Sequence, residues 1–490
     1  MTTQATTMDG APPDIADNAA RNKLVIALLL GSTFVVFLNE TMMSVAIPQL
    51  MADLHILPNI AQWLTTAFLL TMAIVIPITG FLLQRMNTRP VFMLAMSTFT
   101  LGTAICAASP GIELLIVGRI IQAVGTAIMM PLLMTTVMTL VPPETRGKTM
   151  GNISIVISVA PAIGPTIGGF ILAYLEWRWM FILMLPIALG ALAVGSNRMQ
   201  NVTTPRYAPL DIVSVLLSAI GFGGLVYGLS SLGEGEHVGA AFPLWLPLVV
   251  GLVGMALFVW RQIILSRQDK ALLDLRTFLS RNYTFAVLTM AVAMMALFGT
   301  VILLPIYTQN VLGLDTLQTG LLLLPGGLLM GLLAPPVGRL YDRIGPTKLL
   351  VPGTALVSAV LWALTRVDQH TSVWAILVGH IIISIGLALV FTPLFTAALG
   401  SVRREMYSHG SAILGSVQQV AGAAGIALFV ALMTIRTQAL AGAGLEPVSA
   451  LAGGIQLAFL VGAVISLFAI LTAFFVRKPE GGGPGMGHGH

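Results

Sequence analysis

The chain has little charge and almost no cysteine. Only 9% of its 490 residues are charged and 57% are hydrophobic, whereas a soluble domain carries roughly 25% charged residues. That deficit argues for a protein dissolved in a bilayer. The single cysteine, Cys106, excludes an internal disulfide and any cysteine-based metal site. The acids are scattered, with no constellation of His, Asp or Glu near an interface, which argues against a membrane enzyme. A channel would favour rings of like charge, and no such ring is written here.

What is present is a series of apolar runs, each long enough to cross the hydrocarbon core. They fall near 24–49, 62–83, 91–108, 113–138, 151–173, 179–196, 211–231, 244–264, 284–308, 317–337, 348–365, 372–395, 410–434 and 453–475. The expectation is an all-α polytopic protein with fourteen spans. Charge placement supports the count. With the N-terminus inside, 20 of the 24 Lys and Arg fall in inner tails and loops, three fall outside (Arg178, Arg366 and Arg436), and Arg119 lies within a span. This split follows the positive-inside rule, so the net charge of +5 sets topology and requires no nucleic-acid partner. The first 20 residues are polar and do not read as a cleavable signal. The expected location is the cytoplasmic membrane of a prokaryote, multi-pass, with both termini cytoplasmic.

One pattern occurs twice. "GFLLQRMNTRP" follows the second span and "GRLYDRIGPTK" the tenth, both reading Gly-x-Leu-x-(Gln/Asp)-Arg from Gly80 and Gly338. Duplicated halves are a mark of secondary transporters. They divide the chain into a tail (1–23), a six-helix bundle (24–196), an inserted pair (211–264), a second six-helix bundle (284–475) and a Gly-rich flexible tail (476–490).

With these motifs the sequence resembles the major facilitator superfamily in its fourteen-span drug–proton antiporter branch, over nearly the whole chain. "RIIQAVGTA" in span four, with Arg119, Gln122 and Gly125, and "APAIGPTIGG" in span five, with Gly164, Pro165, Gly168 and Gly169, resemble family motifs. "WRWMF", "LPIYTQNVLG" and "HGSAILGSVQQVAGAAG" are similar to segments of that branch. In span one, Asn39-Glu40-Thr41 stands where the family usually writes Asp-x-Thr, so the acid has moved by one residue, about 100° round the helix. That variant is similar to exporters of the lincomycin-resistance type. The first loop has Gln84 where an Asp is usual, and the second keeps Asp342. The resemblance implies a proton-coupled antiporter exporting amphiphilic or cationic drugs by alternating access. The alternative is a dedicated exporter of one metabolite class, such as an antibiotic, amino acid or siderophore. Protons are the coupling ion and no cofactor is expected. The partners are small molecules and the bilayer, and the chain is expected to be a monomer.

Glu40 and Arg119 are the charged residues deep in spans. Counted from Pro48 and Glu113, they lie at similar depths, roughly 12 and 9 Å. An intramembrane charge costs a few kcal/mol and calls for a partner, so Arg119, or a water-filled cavity beside it, is the expected neighbour of Glu40. Either a proton site or a static ion pair fits. His380 in span twelve is a candidate second titrating group, although a lone histidine on an apolar helix is commonly just hydrogen-bonded. Asn39, Glu40, Met43, Gln122 and Gln418 are candidate substrate contacts, the methionine for its deformability. Gly80, Arg85, Gly338, Asp342 and Arg343 in the repeated loops are expected to latch the inner face. Gly164, Pro165, Gly168 and Gly169 are expected to form a bent, closely packed gate.

Overall fold

The computed structural model describes residues 13–56, 58–203, 205, 210–234, 243 and 245–479. Among them are fifteen α-helices: α1 (Pro13–Met42), α2 (Ile47–Leu54), α3 (Pro58–Arg85), α4 (Thr88–Ala108), α5 (Ile112–Leu140), α6 (Arg146–Tyr174), α7 (Arg178–Arg198), α8 (Ile212–Glu234), α9 (Trp245–Ser266), α10 (Arg281–Asn310), α11 (Thr316–Ile344), α12 (Thr347–Leu364), α13 (Val373–Gly400), α14 (Tyr407–Gly442) and α15 (Pro447–Ala473). All except α2 contain a stretch long and apolar enough to span a membrane, which gives fourteen candidate spans. A helix satisfies every interior backbone group within itself, so it can cross hydrocarbon where an open strand cannot.

The spans of α1 to α7 form one bundle and those of α10 to α15 the other. The bundles meet along two seams, α6 on α11 and α3 on α14. The inserted pair α8–α9 is zipped backbone to backbone. A methyl added at Gly224 or Gly251 would come within 2.7 Å or 2.4 Å of the partner helix backbone, the close approach that small residues permit. Helix α8 lies against both α3 and α14, so the pair covers that seam and leaves the α6–α11 seam uncovered.

Three boundaries differ from the hydropathy expectation. Helix α1 starts at Pro13, so residues 13–23 of the expected tail are helical; hydropathy marks where the membrane begins, while a helix can run on into water. The first span, expected to continue to 49, breaks after Met42 into a 3-10 turn (Met43–Val45) and then α2. Pro48 stands in the first turn of α2, a position that tolerates the missing N–H. It therefore marks a helix start, not the end of a span. Helix α14 runs 36 residues, well beyond the 410–434 expected. Residues 1–12 and 480–490 of the expected tails lie outside the described residues.

The two bundles are closed together at the end that carries the basic loops. Gly338 of α11 sits on the backbone of Gly147 in α6, where a methyl would lie 2.1 Å from the Gly147 carbonyl oxygen, and Gly151 meets the Ala334 carbonyl in the same way. Thr135 and Ser411 share a hydrogen bond from α5 to α14 at 2.7 Å. Thr392 donates to Ser154 from α13 to α6 at 2.8 Å. Arg404 donates to the Thr139 carbonyl at the end of α5.

Gly338→Ala is expected to push this end apart, because overpacking costs about 1–3 kcal/mol and 1.4 kcal/mol is about tenfold in population. Gly80→Ala, whose nearest neighbour would lie at 3.4 Å, is expected to be silent. Spin-label distances between Glu144→Cys and Glu405→Cys, exposed sites in the α5–α6 and α13–α14 loops, check this.

Candidate functional site

Glu40 lies in the last turn of α1. The next residue, Thr41, donates to the Ala160 carbonyl of α6 at 3.3 Å. Gly164 faces the same Thr41 so closely that a methyl would fall 2.1 Å from its hydroxyl oxygen, and Gly168 faces Met42 and Val45. The Gly/Pro motif therefore ties α1 to α6 within one bundle, immediately beside the acid. Gly169 points into open space, and Pro165, with Pro161, interrupts the hydrogen-bond ladder of α6 at this level. Ala160 and Gly164 are ten to fourteen residues before α6 ends at Tyr174, which puts Glu40 roughly 15–21 Å from that end.

The Glu40 side chain is half-buried, and its Oε2 is fully enclosed without a hydrogen-bond partner. Asn39 beside it is 3% exposed, and its Oδ1 also lacks a partner. Two adjacent acceptors are thus held in a low-dielectric interior with nothing donating to those oxygens. Leaving a buried polar group unsatisfied costs about 1–3 kcal/mol, so the arrangement is one that gains when a proton or a cationic donor arrives.

Arg119 does not supply that donor. It stands seven residues into α5, roughly 10 Å from the helix start. There its Nη1 donates to Gln122 Oε1 at 3.0 Å, its Nε to the Leu64 carbonyl at 3.5 Å, and its guanidinium lies 4.0 Å from the centre of the Phe68 ring. No ion pair within 4.0 Å joins it to Glu40 among the described residues. Arg119 is therefore a neighbour of Glu40 within electrostatic reach, as expected, but makes no direct bond to it.

Gln122 is fully buried and passes the contact on, donating to Thr103 at 2.8 Å. It is a structural bridge from α5 to α4 and not an exposed substrate contact. Met43 is 2% exposed and sits in the cluster with Leu50, Trp177 and Phe181 in this conformation. Gln418 is half-buried on α14. His380 Nε2 lies 3.0 Å from the Leu323 carbonyl of α11. Its ring is seated on Gly326, where a methyl would come within 2.4 Å. It packs α13 on α11 within the second bundle.

The loop signatures are placed unequally. Thr145 precedes α6 without capping it by its side chain, leaving the first N–H groups to find other acceptors. Asp342 reaches across from the other bundle, with Oδ1 accepting from Gly147 N at 2.8 Å and Oδ2 from Lys148 N at 2.9 Å. A carboxylate at a helix N-terminus is favoured by the helix dipole. Arg343 is exposed, and Arg85 lies over the Phe81 ring at 5.8 Å. Sequence reasoning missed Gly147, the hydroxyl pairs Thr135–Ser411 and Ser154–Thr392, and His409. Nothing marks such hydroxyls in a sequence, whereas His409, opening the quoted HGSA segment, was visible.

Two bundles joined along two seams, closed together at one end, with an acid that has one unpartnered oxygen inside the first bundle, have the build of a membrane transporter. A family model described as Major Facilitator Superfamily matches residues 29–200 and 203–426, and the chain belongs to that family. It is 40% identical to the "Lincomycin resistance protein LmrB" of Listeria monocytogenes over 93% of this chain and 97% of that one. It is 31% identical to a "Multidrug resistance protein B homolog" of Mycobacterium tuberculosis over 80% of this chain and 73% of that protein. Among solved structures, the human organic anion transporter MFSD10 shares the fold with a TM-score of 0.68 at 16% identity, covering 94% of this chain and 100% of that one. The outward conformation of FucP follows at 0.60 and 15%, covering 93% and 99%.

Gln122→Leu removes both bonds of the bridge and strands Arg119 and Thr103. A loss of about 2–3 kcal/mol is expected, read as a lowered Tm of the purified protein. An unchanged Tm would show that the bridge does not hold the bundle.

Proposed function

We propose that the chain is a proton-coupled antiporter that exports amphiphilic or cationic drugs across the cytoplasmic membrane. The observation that carries the reading is Glu40, an acid enclosed at mid-depth with one oxygen unpartnered. Protonated, it is neutral and tolerates closure of the site. Ionised, it attracts a cation, and Asn39 offers a neutral acceptor beside it. Competition between proton and cation for one carboxylate is sufficient to couple their opposite movements. The positive-inside rule supports a cytoplasmic side for the basic loops and both termini, and on that reading the conformation described above is closed towards the cytoplasm. The names borne by the relatives, lincomycin resistance and multidrug resistance, support drugs as the cargo. The relative named for lincomycin alone favours a second reading, export of one antibiotic class.

The test is efflux of a panel of unrelated cationic and neutral drugs from cells, with and without a proton uncoupler. Export of several drugs that stops with the uncoupler is expected. Protection against a single class would favour the second reading, and uncoupler-insensitive export would overturn proton coupling. Glu40→Gln is expected to reach the membrane in normal amount and to lose active export by on the order of a hundredfold or more, the scale of about 2.7 kcal/mol. Normal export by this variant would remove Glu40 from the mechanism.

A further inference from the structure

The two repeated loops do not make the same latch. On the α6–α11 seam Asp342 caps α6 with a carboxylate. On the α3–α14 seam the matching residue is Gln84. Its Nε2 lies 2.6 Å from Nε2 of His409, the third residue of α14. His409 is 6% exposed, and its Nδ1 closes no hydrogen bond of ordinary geometry beside the Leu272 backbone. An amide nitrogen only donates, so in this arrangement the imidazole nitrogen accepts and carries no proton.

The connector from α9 to α10 lies on this latch. Leu273 and His409 both flank Gly80, where a methyl would sit 3.5 Å from each. Asp274 follows, 5% exposed. Burial works to raise its carboxyl, yet bonds from the Arg276 side chain and backbone hold it below the usual range, and it lies within electrostatic reach of His409. Arg276 also pairs with Asp269. The inserted pair fixes the connector. Gln262 of α9 accepts from Leu272 N at 2.8 Å and Leu273 N at 3.2 Å, and donates to Ser214 of α8. Asp211, just before α8, takes two bonds from Arg261 at 2.7 Å.

We propose that His409 is a protonation switch on the α3–α14 seam, buried there against Gln84 with its imidazole neutral, and that the inserted pair serves to hold Asp274 beside it. A proton arriving from water at Nε2 ends the bond donated by the Gln84 amide nitrogen, so the amide must turn its oxygen to the ring, and it leaves a charge in a buried place faced by a neutral partner. It also puts a cation at the start of α14, where the helix dipole disfavours it. In the closed seam the ring is sealed from water, so the proton enters when this end opens and must leave before it closes. Acid on this side therefore holds the seam open. The surrounding groups do not supply another titrating switch in the same range. Arg276 is the connector's cation, Tyr283 of α10 donates to the Gly410 carbonyl, Arg146 of α6 lies 5.6 Å from the Tyr407 ring, and Arg85 of α3 is a permanent cation.

The assignment rests on the alternating-access reading, and its test measures conformation without export. Full-length protein in lipid nanodiscs, labelled at Glu144→Cys and Glu405→Cys, is titrated from about pH 8 to about pH 5.5, across the imidazole range. The open-to-closed ratio is expected to rise by on the order of tenfold. In a Glu40→Gln background, where the site acid no longer titrates, a response remains, and His409→Gln flattens it. Asp274→Asn moves the transition to more acidic pH by losing the counter-charge. Gln84→Glu reverses it, because a carboxylate accepts from the imidazolium and acid then tightens the latch; this variant decides the matter if His409→Gln fails to fold. A response in His409→Gln equal to wild type, or an unreversed one in Gln84→Glu, overturns the switch. An unmoved transition in Asp274→Asn overturns the part given to the inserted pair.

Discussion

A carboxylate inside a bilayer is the constraint on which the rest of this structure turns. Glu40 is half-buried in the last turn of α1, and among the described residues no cation bonds it directly; Oε2 is enclosed without a partner. Such a group costs a few kcal/mol, and that cost has to be met by proton, substrate or water at some point in the cycle. The surrounding architecture keeps it there. Gly164 and Gly168 let α6 approach the end of α1, and the break after Met42 turns the chain away toward α2. Arg119 is retained by a carbonyl, an amide and an aromatic face, so its charge bears on the region without neutralising the acid by contact.

Closure at the basic end complements this. Glycines bring backbones together, hydroxyl pairs fill the next layer, and side chains from each bundle finish helix ends in the other. These bonds are individually modest, about 1 kcal/mol each. A seam made of several such bonds can open and close on a few kcal/mol, the scale a proton or substrate can supply. The α6–α11 seam is locked by a fixed charge, Asp342, and the α3–α14 seam by a neutral pair, Gln84 and His409. The inserted pair lies on the second seam alone.

Much of the fold was legible because the bilayer enforces it. Fourteen apolar runs with basic loops at one end leave few arrangements open, and the doubled Gly-x-Leu-x-(Gln/Asp)-Arg segment announced the two halves. The site was less legible. Mostly apolar residues run through the turn, Met42 and Met43 entering it and Val45 to Ile47 leaving it, so hydropathy passed over the break at Met43. Gln122 sits in a family-like motif, but only the packing shows that it faces α4. The departure at Gln84 was visible in sequence, and its meaning was not, because its partner is 325 residues away.

The most direct measurement is proton release on substrate binding by the purified protein. In weakly buffered solution near pH 7, binding of a monovalent cationic drug should release protons from the wild type, up to about one per drug bound as the pH is lowered, and none from Glu40→Gln that still binds. Equal release from both would contradict the claim that this carboxylate is where proton and drug exchange.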